Sequence, residues 1–444
     1  MKRLVAALAA FMFAMAACSS SDDGGTTESA PAEEPAPAEE EEPAEEAEAP
    51  AEEVVEEEAA PADMSTGPAD PDLEPVRIGI LNQENDPIGS FPEARQGVEG
   101  AAAYANAELG GIDGHPIELV VCTQASIEEA QACTQELATS GVVSVINMVN
   151  IWTFAFDFYG TLGETPVVGG LPLFASDYDA PNARYFNGGS VSVYAAMAKW
   201  AIEEFGVTKV AVLENSNPAA DAATDIGLLP LLDAADVEVV RIVVPQPATD
   251  VAPQVSEAAD ADADLIFVLV SGFECPLITT AAAQFGIPPE KMVYSATCTG
   301  EDVLAQVGDQ MVGSYVHRGG YTEDDPWAPP EAAEAIARNA DQIPTWAPDA
   351  PAGGLTPLGF ATLLDIELLY DEIGFDGLTP ENILATMDDG TPRGIVGGFG
   401  WACEYAGIGL QSVCGGENLF VQLLPDLTTV DPGTGLVNGL NDLG

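Results

Sequence analysis

Residues 107–122 read AELGGIDGHPIELVVC. An Ala-rich helix, beginning near Glu93, runs out at Leu109; a glycine-punctuated turn follows, and IELVVC (117–122) is an apolar run of strand length. Upstream, VRIGIL (76–81) is a second such run, so the quoted stretch joins one strand–helix unit to the next. Downstream, Ser126 and Glu129 form a capping box that opens the helix 127–138. VVSVIN (142–147) and PVVGG (166–170) then supply a third and a fourth strand. Repeated units of this kind mean a parallel sheet covered by helices.

The alternation resumes further on. A helix around Val193–Phe205 leads to VAVLEN (210–215), VEVVRIVV (237–244), LIFVLVSG (265–272) and MVYSAT (292–297). Two doubly wound sheets in about 370 residues exceed one core, so two α/β lobes are expected. Ligands of such sheets sit at the carboxyl ends of the strands, beside helix N-termini.

VRIGIL, the glycine-bearing loop after it and the quoted stretch resemble the leucine/isoleucine/valine-binding proteins of ABC importers. The hallmark is Gly110-Gly111-Ile112 followed by Gly114 and an apolar strand, and TPRGIVGGFGW (391–401) is similar to that family's late glycine-rich crossing. The similarity spans Val76 to Leu424. It implies a type I periplasmic binding protein: two doubly wound parallel-sheet lobes joined by three crossovers, here near Gly189, Gly319 and Gly397. Residues 76–189 and 320–396 would form the first lobe, and 190–319 and 397–444 the second. The implied role is a monomeric solute-binding protein that delivers a small molecule to the permease of an ABC importer. Presentation of the solute to a sensor kinase remains the alternative with the same fold.

The stretch MVNIWTFAFDFYG (148–160) follows the third strand, and its rings alternate like a strand. The next parallel strand needs a helical crossover first, so Asn150 and Ile151 are read as the start of a helix, with Phe156 to Tyr159 in the core. By resemblance, Asn150, Ile151 and Trp152 occupy the family's ligand loop, and Phe91 the place of an aromatic ring beside the ligand. Gly170, Leu171 and Leu173 would follow from the fourth strand's loop. The second lobe would add Ser192, Asn217, Phe273, Glu274 and Thr297. Two departures stand out. The hydroxyl positions that hold an amino-acid carboxylate read Ile151 and Leu173, and no acid matches the one that pairs with the ligand ammonium. An apolar or aromatic solute with one polar end fits these residues better than a free α-amino acid.

The N-terminus reads as an export signal. Lys2 and Arg3 precede an apolar run too short to span a bilayer, and Met-Ala-Ala before Cys18 resembles a lipoprotein cleavage box. Residues 1–17 would be removed and Cys18 lipidated, anchoring the chain to the cell envelope on the extracytoplasmic side. Residues 19–75 repeat Pro, Ala and Glu without an aromatic residue, the composition of a disordered tether. As a flexible coil it would span roughly 40 Å. It holds 21 of the 73 acidic residues, which leaves the remainder at about −42, a surface suited to high salt and repellent to nucleic acid.

Six cysteines follow Cys18, and they permit 15 pairings. Short loops close most readily, which favours Cys122–Cys133, Cys275–Cys298 and Cys403–Cys414 over a metal site, for which no ligand spacing exists. Catalysis finds no support. His115 falls in a turn and reads as a solvated loop residue, His317 ends a strand and reads as structural, and no nucleophile elbow, phosphate loop or cofactor motif appears.

Overall fold

The computed structural model describes residues 67–86, 89–323, 325–396 and 398–444. Residues 1–66, with the export signal, Cys18 and most of the proposed tether, lie outside these, as does Gly397.

Five strands build the first sheet: β1 (Val76–Gln83), β2 (Ile117–Gln124), β3 (Ser144–Val149), β4 (Val167–Gly170) and β5 (Ala183–Arg184). They run parallel in the order β2-β1-β3-β4-β5. The second sheet repeats that order with β6 (Lys209–Asn215), β7 (Glu238–Val244), β8 (Leu265–Leu269), β9 (Met292–Tyr294) and β10 (Tyr315–Arg318), arranged β7-β6-β8-β9-β10. Each sheet therefore has a switch point, between β1 and β3 in one and between β6 and β8 in the other. A hairpin, β11 (Arg393–Val396) and β12 (Phe399–Trp401), precedes the late strands. Of these, β13 (Glu417–Leu423) pairs antiparallel with β10, and β14 (Thr429–Val430) and β15 (Leu436–Asn438) pair with β13.

The central strands are buried on both faces, as covered parallel strands must be; β3, β4 and β8 are buried at every residue. The edge strand β2 alternates exposed and half-buried residues instead. Helices Pro92–Glu108 and Thr356–Ile373 pack on one face of the first sheet, burying Ala101, Phe360, Leu363 and Ile366 with Ile78 and Ile146. Their contact runs through backbone. A Cβ on Gly97 would overlap Thr356 O, and one on Gly359 would overlap Ala94 O. In the second lobe, Trp200 of helix Gly189–Phe205 stacks on Phe420 of β13 at 4.9 Å.

The capping box has the expected first half: Ser126 Oγ accepts from Glu129 N at 3.2 Å. Glu129 Oε2 accepts from Ala125 N at 2.7 Å, one residue ahead of the cap. The stretch 148–160 departs from its sequence reading. No helix begins at Asn150; the chain turns, makes a short 3₁₀ segment at Thr153–Ala155, and enters a helix at Phe158–Leu162 with Asp157 as its cap. Asp157 supplies the N-cap oxygen that Asn150, whose side chain bonds Trp152 N at 3.0 Å, does not. Phe158 is buried, whereas Phe154 is half exposed and lies 4.8 Å from Phe174.

The three cysteine pairs are bonded as Cys122–Cys133, Cys275–Cys298 and Cys403–Cys414. His115 is not simply solvated: its ring stacks on Phe375 at 3.6 Å and its Nδ1 lies 2.7 Å from Glu74 O. The passages between the sheets lie close together. Tyr185 N donates to Ser412 O at 2.7 Å and Tyr185 O accepts from Cys414 N at 2.9 Å, and a Cβ on Gly415 would overlap Phe186 O. Trp401 still packs in the first lobe's core, stacked on Phe186 at 4.5 Å with its Nε1 donating to Asp365 Oδ2 at 3.0 Å.

Candidate functional site

A cavity of about 480 Å³ opens between the two sheets. Its floor is made by the passages that link them and the strand ends beside them: Phe186 to Ser190 in the first, His317 of β10 and Gly319 in the second, and Phe399, Gly400 and Gly415 with Glu417 and Asn418 of β13 in the third. The first lobe adds Leu171 from beyond β4, and Leu355 and Leu358 from the start of the helix 356–373. The second lobe contributes its strand ends: Asn215 at the end of β6 and Asn217 beyond it, Val270 and Ser271 after β8, Ser295 to Thr297 after β9. One wall is thus apolar and the other carries hydroxyl and amide groups.

Most of those polar groups are held by the protein. Asn217 Oδ1 caps its helix by accepting from Ala219 N and Ala220 N, and its Nδ2 donates to Gln246 Oε1 at 2.9 Å. Thr297 Oγ1 donates to Val270 O at 2.7 Å. Ser192 Oγ donates to Gly189 O at 3.0 Å. Among the described residues no Lys or Arg lines the cavity, and Glu417 is its one acid. The helix Gly189–Phe205 has no side-chain cap, and Gly188, Gly189 and Ser190 present its positive end to the space.

Leu171, Ser192, Asn217 and Thr297, expected from the sequence, lie on this wall. The other expected residues do not. Phe91 packs against the first-lobe core. Asn150 is buried, Ile151 N donates to Gln83 Oε1 at 3.3 Å, and Trp152 Nε1 donates to Asp86 Oδ2 at 3.2 Å, all beyond the β1/β3 switch point. Gly170 gives its carbonyl to Asn187 Nδ2, and Leu173 packs inward while its N–H donates to Asp177. Glu274 is no rim carboxylate: it is 1% exposed and bound to Ala248 N and Ser271 Oγ. Phe273 is 67% exposed on the second lobe, outside the cavity.

The sequence reading missed Phe186, Leu355, Leu358, Phe399 and the pair Glu417 and Asn418, and it took His317 for a structural residue. His317 is 4% exposed and its Nε2 lies 2.9 Å from Asn418 Oδ1. Burial above all, with Arg318 adding to it, pushes the imidazole down to about 4 against the opposing bond to Asn418, so the ring is neutral near pH 7. The available signal was topological: the linking segments cross the floor of the cleft, so the residues flanking Gly189 and Gly319 were candidates irrespective of type. Among the described residues no group of His, Cys, Asp and Glu is arranged to hold a metal ion, and no helix is long and apolar enough to cross a membrane.

The profile of the family described as "Periplasmic binding protein" matches residues 75–404. No curated protein matches the sequence. Among solved structures, the chain is similar to an ABC transporter substrate-binding protein from Sphaerobacter thermophilus, at 17% identity and a TM-score of 0.69, covering 83% of this chain and 99% of that one. A fatty acid ABC transporter substrate-binding protein from Thermomonospora curvata gives 13% and 0.65, covering 83% and 94%. A solute binding protein of an ABC transporter from Rhodopseudomonas palustris in complex with p-hydroxybenzoic acid gives 16% and 0.63, covering 82% and 95%.

Proposed function

The chain belongs to the periplasmic binding protein family, and from that premise we propose that it captures a small, mostly apolar solute between its lobes and hands it to the permease of an ABC importer. The observation that carries this reading is the cavity itself. At about 480 Å³ it suits a ligand of amino-acid to drug size, and both lobes and all three linking passages contribute to its wall. Leu171, Phe186, Leu355 and Leu358 supply apolar burial; Ser192, Asn217, Thr297 and Gln246 orient the polar part. The similar structures of a fatty acid ABC transporter substrate-binding protein and of a p-hydroxybenzoic acid complex support a carbon-rich solute. Neither Ile151 nor Leu173 lines the cavity; the apolar first-lobe wall of Leu171, Leu355 and Leu358 favours an apolar solute instead.

Binding closes the lobes about the linking passages. Phe273, exposed on the second lobe, and Trp152 with Phe154, at the strand ends of the first, are the side chains such closure would bring toward the solute. Lipidation at Cys18 would keep the monomer beside its permease, on a tether that ends before Gly67 and not at residue 75 as the composition suggested, because Gly67 N donates to Glu108 O at 3.1 Å and Ala69 N to Asn106 O at 2.9 Å. The test is titration of the purified chain with amino acids, aromatic acids, amides and fatty acids, with the solute recovered afterwards. A 1:1 complex and an unchanged solute are expected. No binder in any class, or a chemically altered solute, would overturn the reading.

A further inference from the structure

The cavity contains a hydrogen-bonding group whose direction the protein fixes. Asn418 Nδ2 donates to Gly416 O at 2.8 Å and to Ser192 O at 3.2 Å, so its Oδ1 points the other way, at His317 Nε2. A carbonyl oxygen accepts only, so Nε2 carries the hydrogen and Nδ1 of the neutral ring is a bare acceptor. Nδ1 bonds to no described residue and His317 lines the cavity, so that lone pair is available to whatever the cavity holds. Phe420, 5.7 Å away between centroids, and the strand pairing of β10 with β13 hold the ring in place.

Resting on the solute-site reading above, we propose that His317 determines specificity: its Nδ1 accepts a hydrogen bond from the solute, which therefore carries a donor (hydroxyl, primary amide or ammonium) at that end. A carboxylate presented there would set acceptor against acceptor. Protonation, which would turn Nδ1 into a donor, is opposed by burial and by Arg318. Asn418 acts as the positioning residue, because its amide chooses the tautomer. The end of the solute facing Gly188–Ser190 is not constrained by this argument.

The probes are matched pairs: benzamide with N,N-dimethylbenzamide, benzyl alcohol with benzyl methyl ether, and benzylamine with N,N,N-trimethylbenzylammonium, alongside benzoate. In calorimetric titration of the full chain, the donor-bearing member of at least one pair should bind about tenfold tighter, the size of one net hydrogen bond. His317→Phe should erase that preference while the chain still melts cooperatively; His317→Gln, which keeps an amide donor for Asn418 and a carbonyl acceptor, should retain part of it. If His317→Phe does not fold, the ¹⁵N resonance of Nδ1 in wild type decides, since His115 is the only other histidine. It should move on adding the preferred donor and stay put with its methylated partner. Equal affinity for both members of every pair, or an unmoved resonance, overturns the assignment to His317 and leaves solute binding standing. No binding by any probe or by the wider panel removes both.

Discussion

Glu367 is 3% exposed in the helix 356–373, and its Oε2 has no hydrogen-bond partner. Burial, reinforced by Asp371, pushes its carboxyl up to about 8, against the opposing charge of Arg338. Because the folded value lies above the unfolded 4.5, the group weakens the fold as pH rises from 4.5 to 8 and is harmless below that window. Glu367→Gln should therefore melt higher than wild type at pH 8, by on the order of 1.4 kcal/mol for each unit the pH exceeds 4.5, with the gap closing toward pH 5. Thermal melts of both proteins at several pH values check this; a constant difference would contradict it. At the cavity, Phe399→Ala removes a ring from the wall, and solute affinity should fall about tenfold or more. Trp152→Ala, which breaks a bond to Asp86 outside the cavity, should weaken binding less. The reverse order in titration would relocate the site toward the β1/β3 switch point.

The helices 92–108 and 356–373 meet at Gly97 and Gly359, and the second of them carries Leu358 into the cavity. Gly359→Ala forces the pair apart against a close-packed core, a cost of about 1–3 kcal/mol, and should also lower solute affinity by displacing Leu358. Gly353→Ala, where nothing lies within 4 Å of the added carbon, serves as control and should leave both unchanged. A Gly359→Ala protein with normal melting and normal binding would show that the contact is slack. The strands β1 to β4 and β6 to β9 and the helices 92–108, 127–139 and 189–205 were readable because each is an apolar run or an amphipathic repeat bounded by glycine or a cap, as with VRIGIL and the Ser126 turn, whereas the helices 330–346 and 356–373 and the strands β11 to β15 went unread. Thr153–Ala155 was not, since a 3₁₀ turn has no period of its own. The strand-end rule leads to Asn217 and Thr297 on the second lobe, beside its β6/β8 switch point. In the first lobe it led to Asn150 and Trp152, whereas the cavity sits nearer the linking passages and draws on Leu355 and Phe399, distant in sequence and without a motif.

The folded part carries far more acid than base, and the ion pairs Arg95–Glu84, Arg184–Asp388, Arg318–Asp325 and Arg393–Asp389 already occupy the cations they contain. The surplus carboxylates repel one another across the surface. Raising KCl from about 0.1 M to about 1 M shortens the screening length from about 10 Å to about 3 Å, so the melting temperature should climb over that range. A flat or falling profile would mean that repulsion is not a significant term in stability. Binding draws on the same two-lobed architecture, with an apolar wall on one side, hydroxyls and amides on the other, and three passages beneath. The most direct check is a crystal structure of the chain with a solute that titrates tightly. The solute should lie between Leu171, Phe186 and Leu358 on one side and Ser192, Asn217 and His317 on the other. A solute seated on one lobe alone, with that space left empty, would contradict the account.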